Sequence, residues 1–179
     1  VDDDGNGYID DYYGWDFANN DNDPMDDNGH GSHTSGTIAA VGNNGIGVVG
    51  VNWTSKIMAL RFMGLEGSGS LATAIKALQY AADMGAKVSS NSWGCACHTQ
   101  AMDDAIKYEY DKGMTIVAAA GNDNTDAIGF SPADADYAIA VAASDPNDLK
   151  AGFSNWGEKI DVAAPGVDIL SIKASINSM

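Results

Sequence analysis

The chain has 179 residues, 45% of them hydrophobic, which suffices for one compact α/β domain and little beyond it. Its formal net charge of −16 is concentrated near the start: Asp2, Asp3, Asp4, Asp10, Asp11, Asp16, Asp21, Asp23, Asp26 and Asp27 all precede the first cation, Lys56. Phosphate binding needs clustered Lys and Arg, so nucleic acid is excluded as a partner. No apolar run reaches the roughly 18 residues of a membrane span, so no membrane association is expected.

The sequence opens at Val1 rather than Met, and its first residues read like the interior of a loop. A fragment with no visible signal peptide is therefore expected. Residues 1–29 form a polar region punctuated by Gly and Asn, followed by a small-residue helix over 31–40 and a second loop at 42–47. A strand is expected at 56–63, then a glycine-rich turn at 64–69, then a helix over 70–84 with Leu71, Ile75, Leu78 and Ala82 on one face. Gly85 ends that helix. The order repeats with a strand at 87–91, a helix near 99–112 and an apolar strand at 114–120. Further strands follow at 137–143 and 159–164, before a Pro165-Gly166 turn. Strands alternating with helices imply βαβ units and a mainly parallel sheet, whose sites collect at the carboxyl ends of the strands. The segments 64–70, 92–98 and 121–125 lie just past such ends.

The acidic opening carries its own chemistry. Asp2, Asp4 and Asn6 place oxygen donors at positions 1, 3 and 5 of an EF-hand-like loop, with Gly7 at position 6 and the Tyr8 carbonyl at position 7. Position 12 is Tyr13 instead of Glu, so closure by Asp10 or Asp11, or weaker binding, is expected. Calcium is the expected ion, because crowded carboxylates repel unless a cation or solvent separates them. Cys95 and Cys97 stand too close in sequence for an easy disulfide and are expected as free thiols. Together with His98 they would make a poor zinc tetrahedron.

The stretch Asn28-Gly29-His30-Gly31-Ser32-His33-Thr34-Ser35-Gly36-Thr37 resembles the histidine motif of the subtilisin-like serine peptidases. The resemblance implies that His30 is the general base and then general acid of acyl transfer, for which an imidazole with an ordinary pKa of about 6.5 is suited. It implies a packing role for His33. Thr115-Ile116-Val117-Ala118-Ala119-Ala120-Gly121-Asn122 is similar to the family's Ala-Ala-Gly-Asn segment, which would make Asn122 the amide donor to the oxyanion. Ser92-Trp93-Gly94 and Gly67-Ser68-Gly69 look like its substrate walls, where extended backbone pairs with a peptide as an added strand. The specificity pocket would then lie between Ser92-Trp93-Gly94 and Ala119-Ala120-Gly121.

Two further calcium sites are implied by the resemblance. One follows the histidine helix, with Asn44 binding through its side chain and Ile46 and Val48 through carbonyls. The other precedes it, at Asp16, Asn19, Asp21 and Asp23. The resemblance covers residues 14–171 and implies a three-layer fold with helices on both faces of the sheet, incomplete at both ends. The chain thus divides into an acidic calcium region (1–29), a matching core (30–171) and an unmatched tail (172–179). Phe153-Ser154-Asn155-Trp156-Gly157 and Asp161-Val162-Ala163-Ala164-Pro165-Gly166 belong to that core.

The pattern breaks at two triad members. No Asp-Thr-Gly or Asp-Ser-Gly tripeptide is present, and the serine motif is reduced to Ser178-Met179, too close to Pro165-Gly166 for the family's spacing. The expected function is that of a secreted, monomeric serine endopeptidase acting on extended protein or peptide substrates, with this segment inactive by itself. The alternative is a non-catalytic relative that binds calcium and extended peptides. A nucleotide-binding protein is a third class, for which the phosphate loop is missing: Gly64, Gly67 and Gly69 have the wrong order for G-x-G-x-x-G.

Overall fold

The structure is a computed structural model and describes residues 1–174. It divides into two units, Val1–Ala77 with the C-terminal segment from Leu170, and Leu78–Ile169.

In the first unit β1 (Gly14–Asp16) pairs in parallel with β2 (Ala59–Arg61), in the register Gly14↔Ala59 to Asp16↔Arg61. The uninterrupted loop expected over 1–29 is thus broken by a short, fully buried strand. Gly14 is indispensable there, since its φ is +123° and a Cβ would run into the Ala59 carbonyl. Tyr8 closes over this strand edge-on, with ring centroids 4.9 Å from Trp15 and 5.8 Å from Phe17. β2 is shorter than the run expected at 56–63, because Met63 turns back to bridge Gly69. Helix α1 (His30–Ala39) ends under a strap of backbone: Gly50 N, Val51 N and Asn52 N donate to the carbonyls of Ala40, Thr37 and Ile38 at 2.8–2.9 Å. Carbonyls that a helix end leaves open are thereby satisfied. On α1, Gly36 lies where a Cβ would come within 2.5 Å of Ser171 Oγ and 2.6 Å of Ile172. Ser171 Oγ also donates to the His33 carbonyl at 2.6 Å.

Helix α2 (Leu71–Asp83) leads into the second unit. Its buried residues are Ala74, Ala77, Leu78, Tyr80, Ala81 and Ala82, so Leu78 and Ala82 of the expected face are buried and Leu71 and Ile75 are half-buried. The second unit is one four-stranded parallel sheet in the order β3 (Val88–Asn91), β4 (Thr115–Ala119), β5 (Ala138–Ser144), β6 (Val162–Pro165). Helix α3 (Gln100–Asp111) joins β3 to β4. The Thr99 hydroxyl caps it by accepting from Met102 N. Met102, Ala105, Ile106 and Glu109 form its buried stripe. β6 starts later than expected, because residues 157–160 close a turn and Asp161 Oδ2 accepts from Ala140 N at 2.8 Å. No described helix is long and apolar enough to cross a membrane.

Candidate active site

In the first unit His30 is the first residue of α1, exposed, with Gly29 before it at φ +105°. Asp26 holds this entry. Its Oδ1 accepts from Asn28 N at 3.0 Å and Gly29 N at 2.8 Å, and its Oδ2 accepts from Ser32 N at 2.7 Å. Burial pushes the Asp26 carboxyl up, but the N–H donors of Gly29, Ser32 and Asn28, with the Ser32 side chain, outweigh it and bring it to about 2. Asn28 Oδ1 accepts from His30 N at 3.2 Å, and Asn28 Nδ2 donates to Leu65 O at 2.8 Å. That last bond brings the histidine loop against the segment carrying Gly67, Ser68 and Gly69. Gly67 has φ +70°, and a Cβ on it would lie 3.6 Å from Asn28 Nδ2. Among the described residues no carboxylate forms an ion pair with the His30 ring, whereas His98 pairs with Asp103 and Asp134. Ser178 lies outside the described residues.

In the second unit the two expected substrate walls come together on a residue that sequence reasoning missed. A Cβ on Gly94 would stand 2.5 Å from Phe130 Cε1, and one on Gly121 would stand 2.7 Å from the same atom. Phe130 therefore closes the space between Ser92-Trp93-Gly94 and Ala119-Ala120-Gly121, and only glycine fits at either contact. Asn122 follows directly, exposed, and its side-chain amide makes no hydrogen bond with the described residues. Its loop is fixed by buried Asn155, whose Oδ1 accepts from Asp123 N (2.9 Å) and Thr125 N (3.2 Å) while its Nδ2 donates to Ala120 O (2.9 Å). One buried amide thus sets the backbone on both sides of Asn122. An asparagine in a short strand-like motif carried no signal of this task; Asp26, an acid just before a helix start, did.

The expectation of free thiols at Cys95 and Cys97 is corrected: the two are paired in a disulfide, with Cα atoms 5.1 Å apart. Cys95 is also tied by its backbone to Ser131, with mutual N–H···O bonds of 3.0 and 2.9 Å. His98 faces two carboxylates, with Nδ1 3.0 Å from Asp134 and Nε2 3.3 Å from Asp103. Neither sulfur nor ring nitrogen is left for zinc.

The acidic residues are hard oxygen donors of the kind a hard cation takes, several of them held in tight turns. Asp2 accepts from Gly5 N, Asn6 N and Gly7 N, Asp4 accepts from Asn6 N, and Asn6 Oδ1 accepts from Tyr8 N. Gly7 takes φ +90°. Asn6 Nδ2 bridges Asp4 Oδ2 (3.2 Å) and Asp11 Oδ2 (2.9 Å), so an N–H dipole separates two carboxylates. Asp10 pairs with the Val1 amino group. At the second cluster, Asp16 is wholly buried and serves Ala18 N, Asn19 N, Asn19 Nδ2 and the Arg61 guanidinium, which also reaches Asp27 at 2.7 Å. Asp21 and Asp23 accept from nearby backbone N–H groups at 3.0 and 3.3 Å. In the third loop Asn44 Oδ1 accepts from Ile46 N at 3.0 Å, and Val48 lies just beyond. No cluster of three His, Cys, Asp or Glu among the described residues converges as a metal site.

Parallel strands with candidate site residues just past their carboxyl ends define an α/β protein that carries its site on loops. The chain belongs to the subtilase family, whose model matches residues 1–178. It is 48% identical over 158 residues to a thermophilic serine proteinase of Bacillus sp. (strain AK1), covering 88% of this chain and 39% of that protein. It is 44% identical to thermitase of Thermoactinomyces vulgaris, covering 88% and 56%, respectively. A crystal structure of a cold adapted subtilisin-like serine proteinase superposes with a TM-score of 0.83 at 33% identity, over 90% of this chain and 57% of that one. The chain therefore spans between 39% and 57% of the length of these proteins.

Proposed function

We propose that this chain forms the histidine- and oxyanion-bearing part of a calcium-stabilised, secreted serine endopeptidase that cleaves extended protein substrates through an acyl-enzyme. The observation that carries this reading is Asn122, exposed one residue past walls closed by Phe130, in a loop whose backbone Asn155 fixes on both sides. An amide N–H presented from that loop can meet developing negative charge, which favours the transition state over the substrate. His30, exposed at a rigid helix start, takes the proton of the attacking hydroxyl and returns it to the leaving amine. The orienting aspartate and the nucleophilic serine come from segments of the full-length protein outside the described residues. Family resemblance to secreted subtilisins supports the extracellular setting, as does a calcium demand that the cytosol does not meet.

The test is covalent labelling of the full-length folded protein by a fluorophosphonate probe. Stoichiometric labelling is the expected result, and absence of labelling in mature protein overturns the peptidase assignment.

Calcium bound by Asp2, Asp4, Asn6, the Tyr8 carbonyl and Asp10 or Asp11 would hold together carboxylates that otherwise repel. At calcium about 100-fold above Kd the stabilisation is about 2.7 kcal/mol, or several degrees in Tm. Thermal unfolding in calcium and then in EDTA should show that drop. A midpoint indifferent to EDTA removes calcium from the account.

A further inference from the structure

The buried stripe of α3 ends on a carboxyl where an apolar side chain is expected: Glu109 has 0% exposure, as do Met102 and Ile106. Neither of its side-chain oxygens receives a hydrogen bond from the described residues. The Ser89 hydroxyl on β3 stands near enough to favour the charged form, without completing a hydrogen bond in this geometry. From Ser89 a polar line continues along the buried side of β3. Asn91 Nδ2 donates to Ser89 Oγ at 2.8 Å, and Trp93 Nε1 donates to Asn91 Oδ1 at 3.1 Å. Residues 89 and 91 share one side of the strand by its period of two, and the Trp93 bond to Asn91 carries the line past the strand end into the wall.

A buried polar line of this kind is costly unless its members serve one another. Ser89 has one O–H donor and two acceptor positions, one already used by Asn91. With Glu109 protonated, the carboxyl O–H can donate to the remaining position. With Glu109 ionised, the Ser89 hydroxyl must turn to donate instead, and the Asn91 contact shifts with it. We propose that Glu109 is a positioning residue for the Ser92-Trp93-Gly94 wall, whose gain or loss of a proton is passed through Ser89 and Asn91 to the Trp93 indole. This rests on the reading of residues 92–94 as a substrate wall.

Burial is the dominant influence on Glu109 and pushes its carboxyl up to about 7, against a smaller lowering by Ser89. Its charge therefore changes near neutrality, where an ordinary Glu is already ionised. Among the described residues no other charge shifts it. β3 and β4 carry no ionisable side chain. On the second-unit part of α2 the titratable groups are Tyr80 and Asp83, and Asp83 is taken by the Tyr108 hydroxyl and Lys112. On α3 itself Lys107 pairs with Asp111, and Tyr110 stacks on Tyr137.

The experiment uses the full-length protein labelled with fluorotryptophan, with the Trp93 resonance assigned by its loss in Trp93→Phe. That resonance should shift with a midpoint near 7, and KM for a peptide substrate should change severalfold across the same transition. Glu109→Gln and Ser89→Ala should both abolish the shift, while the infrared band of a protonated buried carboxyl persists in Ser89→Ala and disappears in Glu109→Gln. A Trp93 shift that survives Glu109→Gln overturns the relay. Absence of a protonated carboxyl band from the wild-type protein below neutrality overturns it even if Glu109→Gln fails to fold. A Trp93 shift with KM unmoved overturns the substrate-wall reading, and the positioning role with it.

Discussion

Replacement of His30 by alanine in the full-length protein should lower kcat by about 10⁶, the order found for the histidine of subtilisin itself. The fold should not suffer. His30 is exposed, and the bonds that shape its surroundings belong to Asp26 and Asn28 and use only its backbone N–H. Removing the imidazole therefore deletes the proposed proton acceptor while leaving the helix entry intact. Turnover of a chromogenic peptide, with circular dichroism as a control for folding, measures the effect. A variant that keeps activity within about tenfold of wild type would exclude His30 as the base, since general acid–base catalysis alone contributes about 10²–10⁴.

The second large effect concerns stability. Replacement of Arg61 by methionine should cost about 3–5 kcal/mol, the usual consequence of stranding one partner of a buried ion pair. Asp16 is 0% exposed and cannot recover solvation when the guanidinium goes. Its remaining partners, the N–H groups of Ala18 and Asn19 and the Asn19 amide, are dipoles and leave its charge uncompensated. Asp27 also loses its cation, but it is half exposed and contributes little. Urea unfolding in excess calcium and in EDTA gives the measurement. A loss below about 1 kcal/mol in EDTA would mean that Asp16 is stabilised by something other than Arg61. A loss confined to EDTA would mean that calcium substitutes for the guanidinium.

Much of the fold was readable before any coordinates. All three helices and the strands β2 to β6 fall where periodicity and glycine punctuation place them, because each carries its own local signal. β1 carries none: three residues between acidic loops acquire strand geometry only by pairing with β2. β3 shows a different limit. Its burial alternates as expected, but Val88 is exposed while Ser89 and Asn91 are buried, the reverse of what hydrophobicity dictates. The inversion makes sense only once the polar line from Trp93 to Glu109 is seen, and that line joins elements no local pattern connects. The same holds for the site. His30, Asn122 and the glycine walls stood out as motifs, whereas the contacts of Phe130 with Gly94 and of Asn155 with Ala120 join residues distant in sequence and stay invisible until the chain is folded.

The Ser171 contact on α1 bears on how the chain is made. The helix that opens on His30 exposes Gly36 to a segment lying 138 residues after His33, so this surface stays bare until nearly the whole described chain has left the ribosome. The segment 78–169 meanwhile contains every strand of its own sheet and can assemble during synthesis. The inserted unit should therefore fold first and the histidine helix lock last.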